Sequence, residues 1–287
     1  AVVPLLGGHH GANDLARKIS ELLGVDPAIT TSGDIRFGIA LDEPPEGFVL
    51  ANPEDVKEFS VSLLAGESLM ISSDENHSCL DYVLGNKNID SDYKQFFYNW
   101  LKVSNLPFST FENLQISLTS KAVSGSKEHL VYHPKTIAVG VGCERGTDPE
   151  ELISLVSNTL KKNKIAPESV AAVVSIDLKS DEPAIHVLTD KLADKLGESS
   201  PARFFDAAVL EEQTPKLRNP SKTVFKEVGC HGVAEGAALA AAGKSGKLVI
   251  PKIKSKHATC AVAQSDELID PQKIGKSQGT LFIVGTG

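Results

Sequence analysis

Several features that would settle the class of this 287-residue chain at once are scarce or missing. There are only four cysteines, Cys79, Cys143, Cys230 and Cys260, and no two form a C-x-x-C pair. That spacing excludes a zinc ribbon or a thioredoxin-type motif. A chain of this length has core enough to fold without a disulfide framework, so all four are read as reduced and Cys260 as a core residue. No stretch approaches the roughly 18 consecutive apolar residues of a membrane span. No basic segment precedes an apolar run at the start, so nothing reads as a secretory signal, and a cytoplasmic location is expected. Positive charge is short as well: 29 Lys and Arg stand against 37 Asp and Glu, a net charge of −8. A general nucleic-acid binder needs the opposite balance to displace counterions. A polyanionic ligand would need a local basic pocket set against this field. No internal repeat is evident.

What is present reads as ordinary globular sequence, with 41% hydrophobic and 23% charged residues. The length suggests two or three modest domains. Val2–Leu6 reads as a buried strand, residues 7–11 as a tight polar turn, and Leu15, Ala16, Ile19, Leu22 and Leu23 as the apolar face of a helix. Asn13 is the expected N-cap of that helix and Gly24 its C-cap. Ala28–Thr31 reads as a second strand. Asn52-Pro53 opens another helix, with Asn as N-cap and Pro at the first helical position. Its inner face is Val56, Phe59, Leu63 and Leu64. Residues 73–94 are polar with turn signals and read as a variable loop. The aromatic run from Gln95 to Leu101 is expected to pack, and Leu114–Leu118 alternates like a strand.

The clearest alternation begins near Thr136. Strands are expected at Thr136–Val141, Val170–Leu178, Arg203–Asp206, Leu248–Ile250 and Thr259–Ala263. Helices are expected to open at Asp148, to span Glu182–Leu196 and to span Val233–Ala242. The Val170 strand is apolar enough to be buried on both faces. The fold class is therefore α/β and multi-domain: a C-terminal open, mostly parallel sheet flanked by helices, a small N-terminal α/β unit and a middle domain. The expected boundaries are 1–50, 51–133, 134–266 and a linker with a first strand over 267–287. Both ends look cut, since the chain enters a strand at once and stops on a Gly-rich turn. Ligands on such sheets bind beyond the carboxyl ends of the strands.

Four polar turns occupy such positions. Gly7-Gly-His-His-Gly11 offers His9 and His10, two imidazoles suited to acid–base work or simply a solvent-facing pair. Gly142-Cys-Glu-Arg-Gly-Thr147 places Glu144 and Arg145 before a helix N-terminus, where backbone N–H groups favour an anion and Arg145 can grip a carboxylate. The bland alternative is a pair of exposed charges, and Cys143 reads as packing. Ser175–Pro183 crowds charge at a strand end, with Lys179 as a carboxylate anchor and Glu182 as a proton-transfer group, or with both merely solvated. Gly229–Ala238 is rich in Gly and Ala, so that another backbone or a flat ligand can come close. In it Glu235 either contacts substrate or only complements the helix dipole. Lys252, Lys254 and Lys256 form a basic stretch that is either a solvated edge or a carboxylate-binding strip.

Several of these segments carry a family resemblance. Val2–Ala16 with Thr30-Thr31 resembles the distal part of the N-terminal domain of cobalt-precorrin-5A hydrolases, and Ala51–Gly66 the start of that family's middle domain. Gly140–Gly146, Ser175–Pro183, Gly232–Ala238, Lys252 and Thr259 resemble its C-terminal domain, which also occurs alone as a small corrin-pathway protein. Residues 73–133 match poorly. Gly279–Gly287 resembles the first strand and Gly-rich loop of precorrin-3B C(17)-methyltransferases, which implies a fragment of a fused protein whose second domain would use S-adenosylmethionine.

The resemblance implies a role in cobalamin biosynthesis: hydrolysis of a lactone on a cobalt-precorrin, with release of acetaldehyde. It implies His9 or His10 as base and Glu144 or Glu182 as proton donor. Arg145, Lys179, Glu235, Lys252 and Thr259 would contact substrate. No protein cofactor or metal is expected in this stretch, since cobalt arrives with the substrate. The implied partners are a corrin intermediate and a fused or neighbouring methyltransferase, with no nucleic acid and no membrane. The rival reading is a non-catalytic module that holds or passes on a corrin intermediate. Either reading expects the loops around His9, Glu144, Lys179 and Glu235 to converge.

Overall fold

The computed structural model describes residues 12–24, 36–73, 80–83, 91–110, 112–196 and 201–278. The chain divides into two compact units, Ala1–Pro134 and Lys135–Gly287. Among the described residues no helix is long and apolar enough to cross a membrane. His9, His10, the strands expected at Val2–Leu6 and Ala28–Thr31, and Gly279–Gly287 all lie outside the described residues.

In the first unit, helix α1 (Ala12–Leu23) begins one residue before Asn13, so Asn13 lies within the helix. Gly24 follows with φ +63°, the left-handed conformation a C-cap glycine supplies. Leu22 and Leu23 of the expected inner face are exposed, at 85% and 61%. Strand β1 (Phe48–Leu50) leads to α2 (Val56–Leu64), which buries Phe59 and Leu63. Next come β2 (Leu69–Ser73), the short α3 (Leu80–Val83) and α4 (Asp92–Lys102). Strands β3 (Leu114–Leu118) and β4 (His129–Pro134) complete the sheet. Its order is β1-β4-β3-β2, with β2, β3 and β4 parallel and β1 antiparallel to β4. The aromatic run does pack: α4 buries Tyr93, Phe97, Tyr98 and Leu101, and Phe97 lies 5.2 Å from both the Phe48 and the Tyr132 ring.

Asn52 holds the expected N-cap position with Pro53 directly after it, but its side chain serves another purpose. It makes no capping bond and a 3-10 turn, Pro53–Asp55, intervenes before α2. Asn52 is instead buried and cross-links the chain. Its amide nitrogen donates to Asp55 Oδ2 at 2.7 Å and His129 O at 3.1 Å, and its oxygen accepts from Val131 N at 3.1 Å. A side chain that can donate and accept at once is worth more to β4 than to a helix end that other groups can satisfy.

The second unit is a five-stranded sheet with helices on both faces. Its strands are β5 (Ile137–Cys143), β6 (Val170–Ile176), β7 (Arg203–Phe205), β8 (Lys247–Lys254) and β9 (Ala258–Gln264). Their order is β7-β6-β5-β9-β8. Pairs β7–β6 and β6–β5 are parallel, whereas β9 runs antiparallel to β5 and β8 antiparallel to β9. The expected mostly parallel sheet is thus parallel in β5–β7 and closes with a hairpin. The turn between β8 and β9 is too short to carry a crossover, which needs a dozen residues or more. Strand β8 also runs on past Ile250, because Pro251 sits on an edge strand where a missing N–H is tolerated and the ladder bulges around it.

Alternation along β5 sets the two faces. Ile137, Val139 and Val141 pack with Leu152, Val156 and Leu160 of α5 (Pro149–Lys162) and with Ile185 and Leu188 of α6 (Pro183–Leu196). On the opposite face stand Ala138 and Gly140. Ala138 clusters with Leu210 of α7 (Ala207–Glu211) and with Ala237 and Ala241 of α9 (Val233–Ala242). A Cβ at Gly140 would lie 2.8 Å from Ala238 N and closer still to the Ala234 carbonyl. The Gly/Ala pattern therefore serves backbone-to-backbone contact between α9 and β5. Between α7 and α9 lies α8 (Lys222–Val228). All seven residues of β6 are buried, as its apolar run requires. Cys260 is fully buried, and the three described cysteines are free.

Candidate functional site

The turns after β5 and β6 meet because their strands are adjacent and parallel. The first turn runs from Glu144 to Thr147 and enters α5, whose N-cap Asp148 accepts from Glu150 N at 3.0 Å. The second passes through a 3-10 turn, Asp177–Lys179, into α6. Arg145 clamps the two together, donating to the Asp181 carboxylate and, at 2.6 Å, to Leu178 O. That hydrogen bond holds the Asp181 carboxyl below its usual range. Glu182 is 1% exposed. One of its oxygens accepts from Gly146 N at 3.1 Å and the other lies 4.0 Å from Arg145 Nη1. Lys179 is half-buried beside them. Burial, then the charge of Glu182, pushes the Cys143 thiol up, consistent with a packing residue rather than a nucleophile.

The hairpin adds a third turn to the same end of the sheet. Because β9 is antiparallel to β5, Ala258 stands opposite Cys143. His257 therefore arrives beside Glu144, with Nδ1 2.9 Å from Glu144 Oε2, while Glu144 N donates to His257 O at 2.9 Å. Glu151 of α5 secures the turn by accepting from Ser255 Oγ and, at 2.7 Å, from His257 N. These bonds hold the Glu151 carboxyl below its usual range, the Ser255 hydroxyl contributing most. A carboxylate can only accept, so His257 Nδ1 carries a proton and the second ring nitrogen, Nε2, is the one left to exchange a proton with a ligand. Among the described residues nothing bonds that nitrogen. Thr259 donates to Gly142 O at 3.2 Å, so its hydroxyl braces β5 against β9.

Glu235 lies in the first turn of α9, 1% exposed, and faces the protein. Oε2 accepts from Arg218 N at 2.8 Å and Asn219 N at 3.0 Å, and Oε1 accepts from Asn219 Nδ2 and Lys252 N, both at 2.8 Å. The bulge in β8 frees the Lys252 N–H for this bond. Burial pushes the Glu235 carboxyl up, but the four hydrogen bonds outweigh it and hold the carboxyl low. Glu235 thus acts as a joint between α9, the loop at 218–219 and β8, and its carboxylate is already fully used. Lys252 is half-buried and its Nζ donates to Asn219 O at 3.2 Å. Burial, then Lys254, lowers its pKa.

Of the residues the sequence singles out, the structure gathers Glu144, Arg145, Lys179, Glu182 and Thr259 where β5 and β6 end, whereas Glu235 and Lys252 bond to each other and to Asn219. His9 and His10 lie outside the described residues. His257 was passed over. In a parallel arrangement its turn would fall at the far end of the sheet, and only the antiparallel hairpin returns it to Glu144. The short linker between two strand-like runs is the signal that would have found it.

Residues 137–263 match the family model described as cobalamin synthesis G C-terminus, and residues 1–34 that described as cobalamin synthesis G N-terminal. A Sinorhizobium protein named CobE is 45% identical over 127 residues, spanning 44% of this chain and 79% of that protein. A cobalt-precorrin-5A hydrolase of Priestia megaterium is 27% identical over 265 residues, spanning 91% of this chain and 68% of the relative. The crystal structure of CobE, a protein from the cobalamin (vitamin B12) biosynthetic pathway, aligns with a TM-score of 0.40 at 35% identity, over 45% of this chain and 89% of that one.

Proposed function

The chain belongs to the cobalamin synthesis G family, and we propose that it is a cobalt-precorrin-5A hydrolase whose proton transfers run through His257. Similarity to cobalt-precorrin-5A hydrolases along 91% of the chain supports the substrate. The observation that carries the chemistry is the Glu144–His257 pair, 2.9 Å apart at the carboxyl end of the sheet.

Opening a lactone adds water to the acyl carbon, breaks the ring C–O bond and leaves a carboxylate and a hydroxyl. His257 Nε2 takes the proton from the attacking water, and Glu144 stabilises the imidazolium that results. The same imidazolium returns its proton to the departing alkoxide. Releasing acetaldehyde then requires deprotonation of the freed hydroxyl. The carbon–carbon bond breaks as the new carbonyl forms, and its electron pair passes into the conjugated macrocycle. The base for this second step is His9 or His10, as the family resemblance implies. Lys179 and Lys252 anchor peripheral carboxylates, while Arg145 and Glu182 lock the two turns in register.

In the fused protein that the sequence of Gly279–Gly287 suggests, S-adenosylmethionine would serve the methyltransferase domain, and the whole would act in the cytoplasm. Binding of S-adenosylmethionine by the longer gene product, and not by this chain, is the check on that assignment.

His257→Ala is expected to lower turnover by about 10²–10⁴-fold, the usual share of a positioned acid–base group, with bound pigment unchanged. Glu144→Gln should give a smaller loss and move the pH–rate profile. Turnover at the normal rate in His257→Ala would remove the assignment.

A further inference from the structure

A second carboxylate-held imidazole stands at the same end of this sheet, outside the residues assigned above. His231 follows the left-handed Gly229 that ends α8 and precedes the N-cap Gly232 of α9. Its Nδ1 lies 2.9 and 3.0 Å from the two oxygens of Glu211 at the end of α7. Its backbone N–H donates to the same carboxylate at 2.9 Å, and Thr214 Oγ1 donates to it as well at 2.9 Å. The ring is stacked on Phe225, centroids 4.5 Å apart and planes 24° apart, and its carbonyl accepts from Ser221 N at 2.7 Å. Position, tilt and tautomer of this imidazole are therefore all fixed. The carboxylate leaves the proton on Nδ1, so the lone pair is on Nε2, and no described residue bonds Nε2.

This is the arrangement in which a histidine ligates a metal: the far nitrogen held by a carboxylate, which sets the tautomer and raises basicity at the near one. Among the described residues no group of three or more His, Cys, Asp and Glu is gathered to hold a metal ion of its own. A single imidazole suits a metal that already has its equatorial ligands. His257 is less suited to the task. It lies on a turn flanked by Lys254, Lys256 and Glu151, and its side chain is 38% exposed, against 26% for His231. Phe225 beside His231 is exposed and apolar, which favours contact with a conjugated ring system.

We infer that His231 is an axial ligand, through Nε2, for the cobalt of the bound tetrapyrrole, with Glu211 and Phe225 as its positioning residues. This rests on the reading of the chain as a cobalt-precorrin enzyme. It goes further in assigning how the metal is recognised and in dividing labour between the two histidines: His231 holds, His257 moves protons.

The test uses cobalt(II) uroporphyrin and metal-free uroporphyrin as probes, titrated anaerobically into the whole chain. The cobalt pigment should bind about 10–100-fold more tightly than the metal-free one, the usual weight of such a ligand or its carboxylate partner. Its electron paramagnetic resonance spectrum should show splitting by one axial nitrogen. In His231→Ala both the preference and the splitting should vanish and return on adding free imidazole, while His257→Ala keeps both. Glu211→Gln should retain the splitting with weakened affinity. Thermal melting of His231→Gln, which keeps a donor toward Glu211, separates lost ligation from lost folding. Equal binding of the two pigments, or nitrogen splitting that persists in His231→Ala, overturns the ligand assignment alone. Failure to bind either pigment overturns the tetrapyrrole reading together with it.

Discussion

Glu235→Ala is expected to unfold the second unit more readily without acting through the chemistry. The substitution removes the acceptor of four hydrogen bonds, from Arg218 N, Asn219 N, Asn219 Nδ2 and Lys252 N. A hydrogen bond to a charged group is worth about 1.5–3 kcal/mol, and a buried donor left unpaired costs about 1–3 kcal/mol. Arg218 and Asn219 are exposed residues whose groups can turn to water, so most of their share is recovered. The half-buried Lys252 N–H inside the β8 bulge has no such outlet. The net loss is about 2–4 kcal/mol, which lowers the melting temperature of a unit of this size by about 5–15 °C. Glu235→Gln keeps one acceptor oxygen and should lose about half as much.

The pH dependence has a definite sign. The folded carboxyl titrates below the usual glutamate value, so its contribution is complete above that value and is lost as pH falls through the lower, folded one. The gap between wild type and Glu235→Gln should hold from neutral pH down to the usual glutamate range and close only below it. Urea titrations at several pH values read both quantities. A Glu235→Ala variant within about 0.5 kcal/mol of wild type, the range of an inert surface change, would refute the joint. If that variant also bound pigment poorly, Glu235 would be a substrate contact after all.

Gly140→Ala drives a methyl group into the backbone of α9, where no side-chain rotation can relieve it. It should cost at least the roughly 1–3 kcal/mol of ordinary overpacking, read by thermal denaturation. Asn52→Ala removes the cross-link from the 3-10 turn to β4 and strands the buried Val131 N–H. A loss of about 1–3 kcal/mol is expected, measured as a shift in the urea midpoint with an unchanged slope.

The meeting of the turns after β5 and β6 was legible in the sequence because strand-end turns advertise themselves. Glu144, Arg145, Lys179 and Glu182 each follow an apolar run and precede a helix, and parallel neighbours bring such turns together whatever the details. What remained hidden depended on pairing direction, which composition does not encode. An antiparallel β9 reverses which of its ends meets β5, and that reversal alone decides that His257 reaches Glu144. Glu235 was ambiguous for a related reason. A glutamate one turn into a helix looks the same whether it faces solvent, ligand or a bulged strand, and only the freed N–H of Lys252 distinguishes these. The Gly and Ala of α9 fitted either a flat ligand or another backbone, and the close approach of Ala234 and Ala238 to Gly140 answers in favour of backbone. His231 went unread because α7 and α8 are short and carry little periodicity.

On this reading the chain breaks bonds in a cobalt-corrin intermediate and does not merely hold it. Incubating the chain with the lactone-bearing cobalt-precorrin and assaying acetaldehyde tests it most directly. Acetaldehyde formed in step with loss of the lactone, and sharply reduced in His257→Ala, is the predicted result. A bound pigment with a shifted absorption spectrum and no acetaldehyde would contradict it.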